Sequence, residues 1–284
     1  MASHPDPALV LRCGRFELDL ARPRIMAILN LTPDSFSGDG VSGIDAALRH
    51  AQRAVDEGAE ILDLGGESSR PGALPVSEQE ELDRVMPVLE RLVSWPVPVS
   101  VDTVRPALMR AAIAAGVAMV NDINAFAAEG ALDAVADSSV ALCVMHMRGA
   151  PRTMQADPVY QDVVAEVRGY LAGRVDVLRG RGVAPSRIVL DPGFGFGKTL
   201  EHNLALLRGL PSLLEEGYPV LAGLSRKSML GQITGRPVSE RATASAVAAL
   251  LAAQFGARIL RVHDVGATRD ALRLLEAVQA HAVG

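Results

Sequence analysis

Three apolar runs in this 284-residue chain close on a carboxylate or amide: Asp102 after Ser100-Val101, Asn121 after Met119-Val120, and Asp191 after Ile188-Val189-Leu190. Polar side chains at the ends of apolar segments sit where a fold can aim them at a ligand. Together these three offer acceptors and donors, a set that suits the amino and amide edges of a flat heterocycle. Met145 and Phe196 would supply its apolar contact. A second group is cationic: Arg70 follows one apolar run, and Arg261 and His263 close another. Guanidinium groups bind phosphate bidentately, so their convergence would make an anion clamp. Asn30 is a neutral oxygen donor at the end of another apolar run. It suits a Mg²⁺ carried in by a phosphate, which takes few protein ligands. Lysine is scarce: of 28 cations only Lys198 and Lys227 are lysines. A chain that uses arginine by default and still places a lysine has a use for a compact ammonium. Lys227 is placed to reach either the heterocycle or a second substrate, whereas Lys198 reads as a loop cation.

Short apolar or β-branched runs alternate with longer amphipathic runs along the chain. Strand candidates are 24–30, 60–65, 97–102, 118–123, 140–147, 187–191, 219–224 and 258–262. Each is almost continuously apolar, as strands buried on both faces of a parallel sheet are. Helical stretches lie near 43–58, 77–93, 105–115, 130–138, 159–182, 201–216, 239–256 and 267–281. Ser77 and Glu80 form a capping-box pattern, Pro106 suits a first helical turn, and Gly58, Gly116, Gly182, Gly217 and Gly256 suit helix C-termini. Eight β-α units without a composition break predict one (β/α)₈ TIM barrel over 8–284, with a short N-terminal β-hairpin near 8–20 and a frayed stretch at 1–7. An open doubly wound sheet is the alternative, weakened by the lack of a glycine-rich first turn. In a barrel, chemistry sits at the C-terminal strand ends. All eight ends here carry ionisable or amide groups. The ordinary polarity of loops accounts for Asp39 or Ser68, but not for Asp102, Asn121 and Asp191.

Composition removes whole classes of function. The chain is 49% apolar and 21% charged, which is globular rather than disordered. A net charge of −5 argues against a nucleic-acid or anionic-membrane partner. The longest strictly apolar run is eight residues, 246–253, well short of the roughly 20 that span a bilayer. No export signal is visible, so a cytoplasmic location is expected. Cys13 and Cys143 are too few for a disulfide framework or a cysteine metal site. Residues 193–199 resemble a P-loop, but its first glycine would be Pro192, and Lys198 stands where a dinucleotide fingerprint requires its last glycine. Neither a zincin helix nor a nucleophile elbow appears.

Eight segments, in order, resemble the dihydropteroate synthases: Asn30-Leu-Thr-Pro-Asp-Ser-Phe-Ser37, Asp63-Leu-Gly-Gly-Glu-Ser-Ser-Arg-Pro-Gly72, Ser100-Val-Asp-Thr103, Asn121-Asp-Ile123, Met145-His-Met147, Asp191-Pro-Gly-Phe-Gly-Phe-Gly-Lys198, Ser225-Arg-Lys-Ser228 and Arg261-Val-His-Asp264. The resemblance runs from about residue 10 to the C-terminus. It implies condensation of 6-hydroxymethyl-7,8-dihydropterin pyrophosphate with p-aminobenzoate, giving 7,8-dihydropteroate and pyrophosphate, with the leaving group departing first in the presence of Mg²⁺. By motif position it implies that Asp102, Asn121, Met145, Asp191 and Lys227 hold the pterin. Asn30 (also the metal ligand), Ser69, Arg70, Arg261 and His263 would take the pyrophosphate. Phe36, Pro71, Phe196, Lys227 and Ser228 would line the p-aminobenzoate pocket. Two positions depart from the family's usual pattern. Ser69 replaces a more frequent threonine, and the first loop reads Ser37-Gly38-Asp39-Gly40 where Ser-Asp-Gly-Gly is usual. Asp39 is expected to serve beside the cationic intermediate, since flanking glycines permit readjustment. Sulfonamides, which imitate p-aminobenzoate, are expected to inhibit.

Two other readings share the pterin site: a methyltetrahydrofolate-dependent corrinoid methyltransferase, and a non-catalytic paralogue. The first would need no anion clamp, and the second would show a lost phosphate or metal residue. The other features have plain readings. His4, His50, His202 and His281 read as solvated, Trp95 as packed at a helix end, and the alanine-rich stretch 242–253 as a packing face. The resemblance implies a homodimer, for which that stretch or the last helix would serve.

Overall fold

Residues along each barrel strand alternate between two environments, although both are buried. The computed structural model describes residues 10–31, 40–67, 76–149, 154 and 158–280, the side chains of 40–42 excepted. A β-hairpin of β1 (Val10–Cys13) and β2 (Phe16–Asp19) comes first. The barrel strands are β3 (Arg24–Asn30), β4 (Ile61–Gly65), β5 (Val99–Asp102), β6 (Met119–Asp122), β7 (Ala141–Met145), β8 (Ile188–Asp191), β9 (Leu221–Ala222) and β10 (Ile259–Val262). They pair in parallel in the order β8-β7-β6-β5-β4-β3-β10-β9. A bridge from Leu190 to Val220, just before β9, closes the circle. Leu62, Leu64, Val99, Val101, Leu142 and Val144 face outward into the core beneath the helices. Met26, Ile61, Met119, Cys143, Val189 and Ile259 face inward, where Leu11, Cys13 and Leu20 plug the barrel floor. This is the expected (β/α)₈ barrel with its hairpin. The two-residue alternation of a pleated strand sorts the wall into lining and shell.

The helices are α1 (Gly40–Glu57), α2 (Glu78–Leu92), α3 (Pro106–Ala115), α4 (Ala131–Val135), α5 (Val163–Gly180), α6 (Leu200–Arg208), α7 (Leu210–Leu214), α8 (Ser228–Thr234), α9 (Ala242–Gln254) and α10 (Val265–Ala280). Ser77 and Glu80 make the expected capping box on α2, and the five glycines read as helix stops all have positive φ. Several details differ from the sequence reading. The stretch read as one helix over 201–216 is broken into α6 and α7, because Pro211 cannot donate an interior hydrogen bond and opens a new helix. Helix α8 interrupts a stretch read as loop. His202 is half-buried and does more than face solvent: its Nδ1 accepts from the Thr199 N–H at 3.2 Å and completes the cap of α6. The helix read as starting near 159 begins after Asp162, whose carboxylate accepts from Val164 and Ala165. The frayed stretch expected at 1–7 lies outside the described residues. No helix among the described residues is long and apolar enough to cross a membrane.

Candidate active site

The inward set of residues ends, strand by strand, in polar groups at the C-terminal mouth. In the strand register Asn30 stands opposite Gly65, Gly65 opposite Asp102, and Asp102 opposite Asn121. Met145 stands opposite Asp191. Asp122, next to Asn121, faces outward. Its carboxylate accepts from the Asn124 and Phe126 amides, both at 2.7 Å, and holds a turn in which Ala125 and Phe126 have φ of 53° and 57°. Strand parity thus divides two adjacent polar residues into one for the site and one for the fold.

Arg261 lies across the barrel between two acids. Its Nε donates to Asp63 Oδ2 at 2.6 Å and its Nη2 to Asp102 Oδ2 at 2.8 Å. Burial works against the Arg261 charge, but Asp63 and Asp102 outweigh it and raise the pKa. Asp63 is wholly buried, and its other oxygen has no hydrogen-bond partner among the described residues. The same is true of Asn121 Oδ1 and Ser100 Oγ. A buried acceptor left open costs roughly 1–3 kcal/mol, so the lining favours a ligand that brings N–H donors. Burial pushes the Asp102 carboxyl up to about 7, against the pull of Arg261, so near neutrality it accepts or donates a hydrogen bond. Asp191 is also raised by burial, while its Oδ1 accepts from the Gly193 amide at 2.7 Å.

The loop after β8 folds back beneath the mouth. Lys198, read from sequence as a loop cation, is 3% exposed. Its Nζ lies 2.9 Å from both Gly193 O and His146 Nδ1, and 3.0 Å from Phe196 O. Burial brings its pKa down to about 7. Burial, with Lys198 second, brings His146 to about 3, so the ring is neutral and its Nδ1 accepts. On the other side of the loop, Lys227 Nζ stands 4.0 Å above the Phe196 ring.

Lys227 is presented by a strained backbone. Arg226 before it has φ of 57°, held by a two-point ion pair to Asp264 (2.6 and 3.1 Å) and by its amide on Ser245 Oγ. Ser228 begins α8. Ser225 joins the ends of β9 and β10 by accepting from the His263 amide at 3.1 Å, and its Oγ lies 3.0 Å from His263 Nδ1. The chain leaving β4 is tethered by Arg84, which donates to Gly66 O, and by Arg105, which pairs with Glu67 and Glu81.

The structure therefore joins Asp102 to Arg261 and Lys227 to Phe196, and puts Asn30, Asn121, Met145 and Asp191 on the lining. Arg261 is not an unengaged anion clamp here, since two carboxylates already hold it. Phe36, Asp39, Ser69, Arg70 and Pro71 lie outside the described residues. Sequence reasoning passed over Asp63, His146 and Lys198 as site components. Strand parity marks Asp63, which shares a face with Gly65, but nothing local marks Lys198 as buried.

A family profile described as pterin binding enzyme matches residues 26–263. A dihydropteroate synthase of Neisseria meningitidis serogroup C is 51% identical over 275 residues, covering 95% of this chain and 97% of its own. The Burkholderia cenocepacia dihydropteroate synthase, crystallised with 7,8-dihydropteroate, shares 52% identity over 96% of this chain and 97% of its own, with a TM-score of 0.88. The Xanthomonas albilineans dihydropteroate synthase, crystallised with 4-aminobenzoic acid, shares 51% over 97% and 99%, with a TM-score of 0.90. With likeness of this degree along nearly the whole barrel, the chain belongs to the dihydropteroate synthases, a family of pterin-binding enzymes.

Proposed function

We infer that this chain joins 6-hydroxymethyl-7,8-dihydropterin pyrophosphate to p-aminobenzoate, yielding 7,8-dihydropteroate and pyrophosphate for folate biosynthesis. The observation that carries this reading is half-identity over almost the full chain with synthases whose structures hold 7,8-dihydropteroate and 4-aminobenzoic acid. Asp102, Asn121 and Asp191 take the polar edge of the pterin, Met145 its face, and Lys227 stands between pterin and arylamine. The open oxygens of Asn121 and Asp63 support a ligand rich in N–H groups. Arg261 is ion-paired with both Asp63 and Asp102. A pterin that bonds to Asp102 and a pyrophosphate that draws on Arg261 divide that group between them. Arg70, His263 and Ser69 are assigned to the pyrophosphate with Arg261 and Asn30. Phe36, Pro71, Phe196 and Ser228 are assigned to the arylamine, and Asp39 to the cationic methylene.

The chemistry matches these roles. An arylamine is a weak nucleophile, so departure of pyrophosphate has to be assisted, and cations on the departing oxygens provide that assistance. No strong base is required. Among the described residues no three His, Cys, Asp or Glu gather around a point. A Cβ on Gly65 would sit in ordinary contact with Asn30 Oδ1 and Asp102 Cβ, both at 3.9 Å, so the missing side chain leaves the Asn30 oxygen uncovered from that side. This donor set suits a Mg²⁺ that arrives on phosphate oxygens with Asn30 as protein ligand, not a resident cage. When bound, the ion neutralises charge on the leaving group.

Pyrophosphate release, measured with Mg²⁺ and with or without p-aminobenzoate, tests the reading. Release that requires p-aminobenzoate and yields dihydropteroate supports it. Tight pterin binding without release points to a non-catalytic pterin protein, and methyl transfer from a reduced folate to a methyltransferase. We further propose that two copies pair through α9 and α10, where Val247, Leu251, Leu274 and Val278 are 50%, 38%, 65% and 61% exposed. Light scattering should give roughly twice the 29.9 kDa chain mass, and a single chain mass would refute pairing.

A further inference from the structure

Both of the chain's lysines engage Phe196. Lys227 Nζ lies over the ring, and Lys198 Nζ bonds to the carbonyl of the same residue. The segment between β8 and α6 carries Gly193, Gly195 and Gly197 with φ of 67°, 78° and 63°. These left-handed positions turn the carbonyls of Gly193 and Phe196 inward, onto one point. Lys198 Nζ occupies that point, with His146 Nδ1 at 2.9 Å and His146 O at 3.4 Å as further acceptors. Side chains are barred at the flanks. A Cβ on Gly193 would fall 1.9 Å from His146 O, and one on Gly197 would fall 2.3 Å from Arg148 O.

We propose that Lys198 is a positioning residue for the arylamine pocket: its ammonium gathers the Gly193 and Phe196 carbonyls and so sets the Phe196 ring beneath Lys227. The proposal rests on the reading of Phe196 and Lys227 as part of that pocket. A buried ammonium is costly, and this one is held by carbonyls and a neutral imidazole rather than by a carboxylate in direct contact. Core packing alone would be served by an apolar residue at lower cost. What a lysine adds in its charged form is three donors radiating from one atom, matched to acceptors that surround a point. A planar guanidinium cannot make that arrangement. In a chain with 28 cations and two lysines, this is a use that arginine cannot meet.

The test compares wild type with Lys198→Gln and Lys198→Met by steady-state kinetics and amide hydrogen exchange. Both variants should raise the KM for p-aminobenzoate at least tenfold while changing the KM for the pterin pyrophosphate less than threefold. Lys198→Arg should fail to restore the wild-type value. The Phe196 amide, which donates to Gly193 O, should exchange at least tenfold faster in Lys198→Gln, with β7 amides unchanged. If Lys198→Met does not fold, Lys198→Gln alone decides. A lower melting temperature with both KM values unmoved, or moved equally, overturns the positioning role. Unchanged Phe196 exchange overturns it whatever the kinetics. If wild type consumes no p-aminobenzoate, the functional reading fails and takes the pocket assignment with it, while faster exchange still shows that Lys198 holds the loop.

Discussion

Asp102 holds its proton longer in the folded barrel than in the unfolded chain. Its carboxyl moves from 3.8 to about 7, chiefly through burial and with Asp63 nearby, despite Arg261. Between those two values the folded state binds a proton that the unfolded state has released. The contribution of Asp102 therefore favours folding at low pH and declines as pH rises from about 4 to about 7. Asp102→Asn removes this dependence. The melting temperature of the variant, relative to wild type, should be higher at pH 8 than at pH 5. A difference that does not change with pH would show that Asp102 stays ionised throughout. Several site residues were legible one at a time. Asp102, Asn121 and Asp191 end apolar runs, and that pattern alone marked them. Asp63 has an equally apolar strand around it but is followed by Leu64 and Gly65, so it does not look terminal. Its parity with Gly65 puts it on the lining face, and the pairing with Arg261, 198 positions away, confirms it there. Lys198 was misread because a lysine among glycines looks solvated, and its burial depends on three left-handed turns that bend the loop around it.

Arg226 and its neighbours show how an element end stores strain to present one side chain. The left-handed conformation of a non-glycine residue costs roughly 1–3 kcal/mol and persists only when surroundings hold it. Here the holding groups are Asp264 and Ser245. Arg226→Ala keeps the strain and loses the ion pair, whereas Arg226→Gly loses the pair but relieves the strain. Denaturation midpoints should fall in the order wild type, Arg226→Gly, Arg226→Ala, with the last about 1–3 kcal/mol below wild type. Equal losses in the two variants would remove backbone strain from the account. Strand β3 matched the sequence reading at both ends, because Arg24–Ala27 pair with β10 and Met26–Asn30 with β4, so each of its seven residues has a strand partner. Strand β9 was read at six residues and is two, since its contact with β8 is a single bridge. Helix α8 was missed because seven residues with an internal Gly231 carry little helical signal, and its formation depends on packing Met229 and Leu230.

At the scale of the molecule, stability and chemistry occupy opposite ends of one barrel. The hairpin seals the floor with Leu11, Cys13 and Leu20, and the ionisable lining opens at the other end. Leu11→Ala should cost about 2–4 kcal/mol of unfolding free energy while leaving the KM values of both substrates within twofold of wild type. A large change in either KM would show that floor and mouth are coupled. Both thiols belong to this inner column, Cys13 on the hairpin plug and Cys143 in the wall above it. Burial pushes the Cys13 thiol up to about 12 and Cys143 well above its usual range, so neither is a ready thiolate in the folded chain. The barrel thus carries two clocks for its own opening. Alkylation of Cys13 ahead of Cys143 times the lifting of the plug, and simultaneous alkylation means that plug and wall come apart as one cooperative unit.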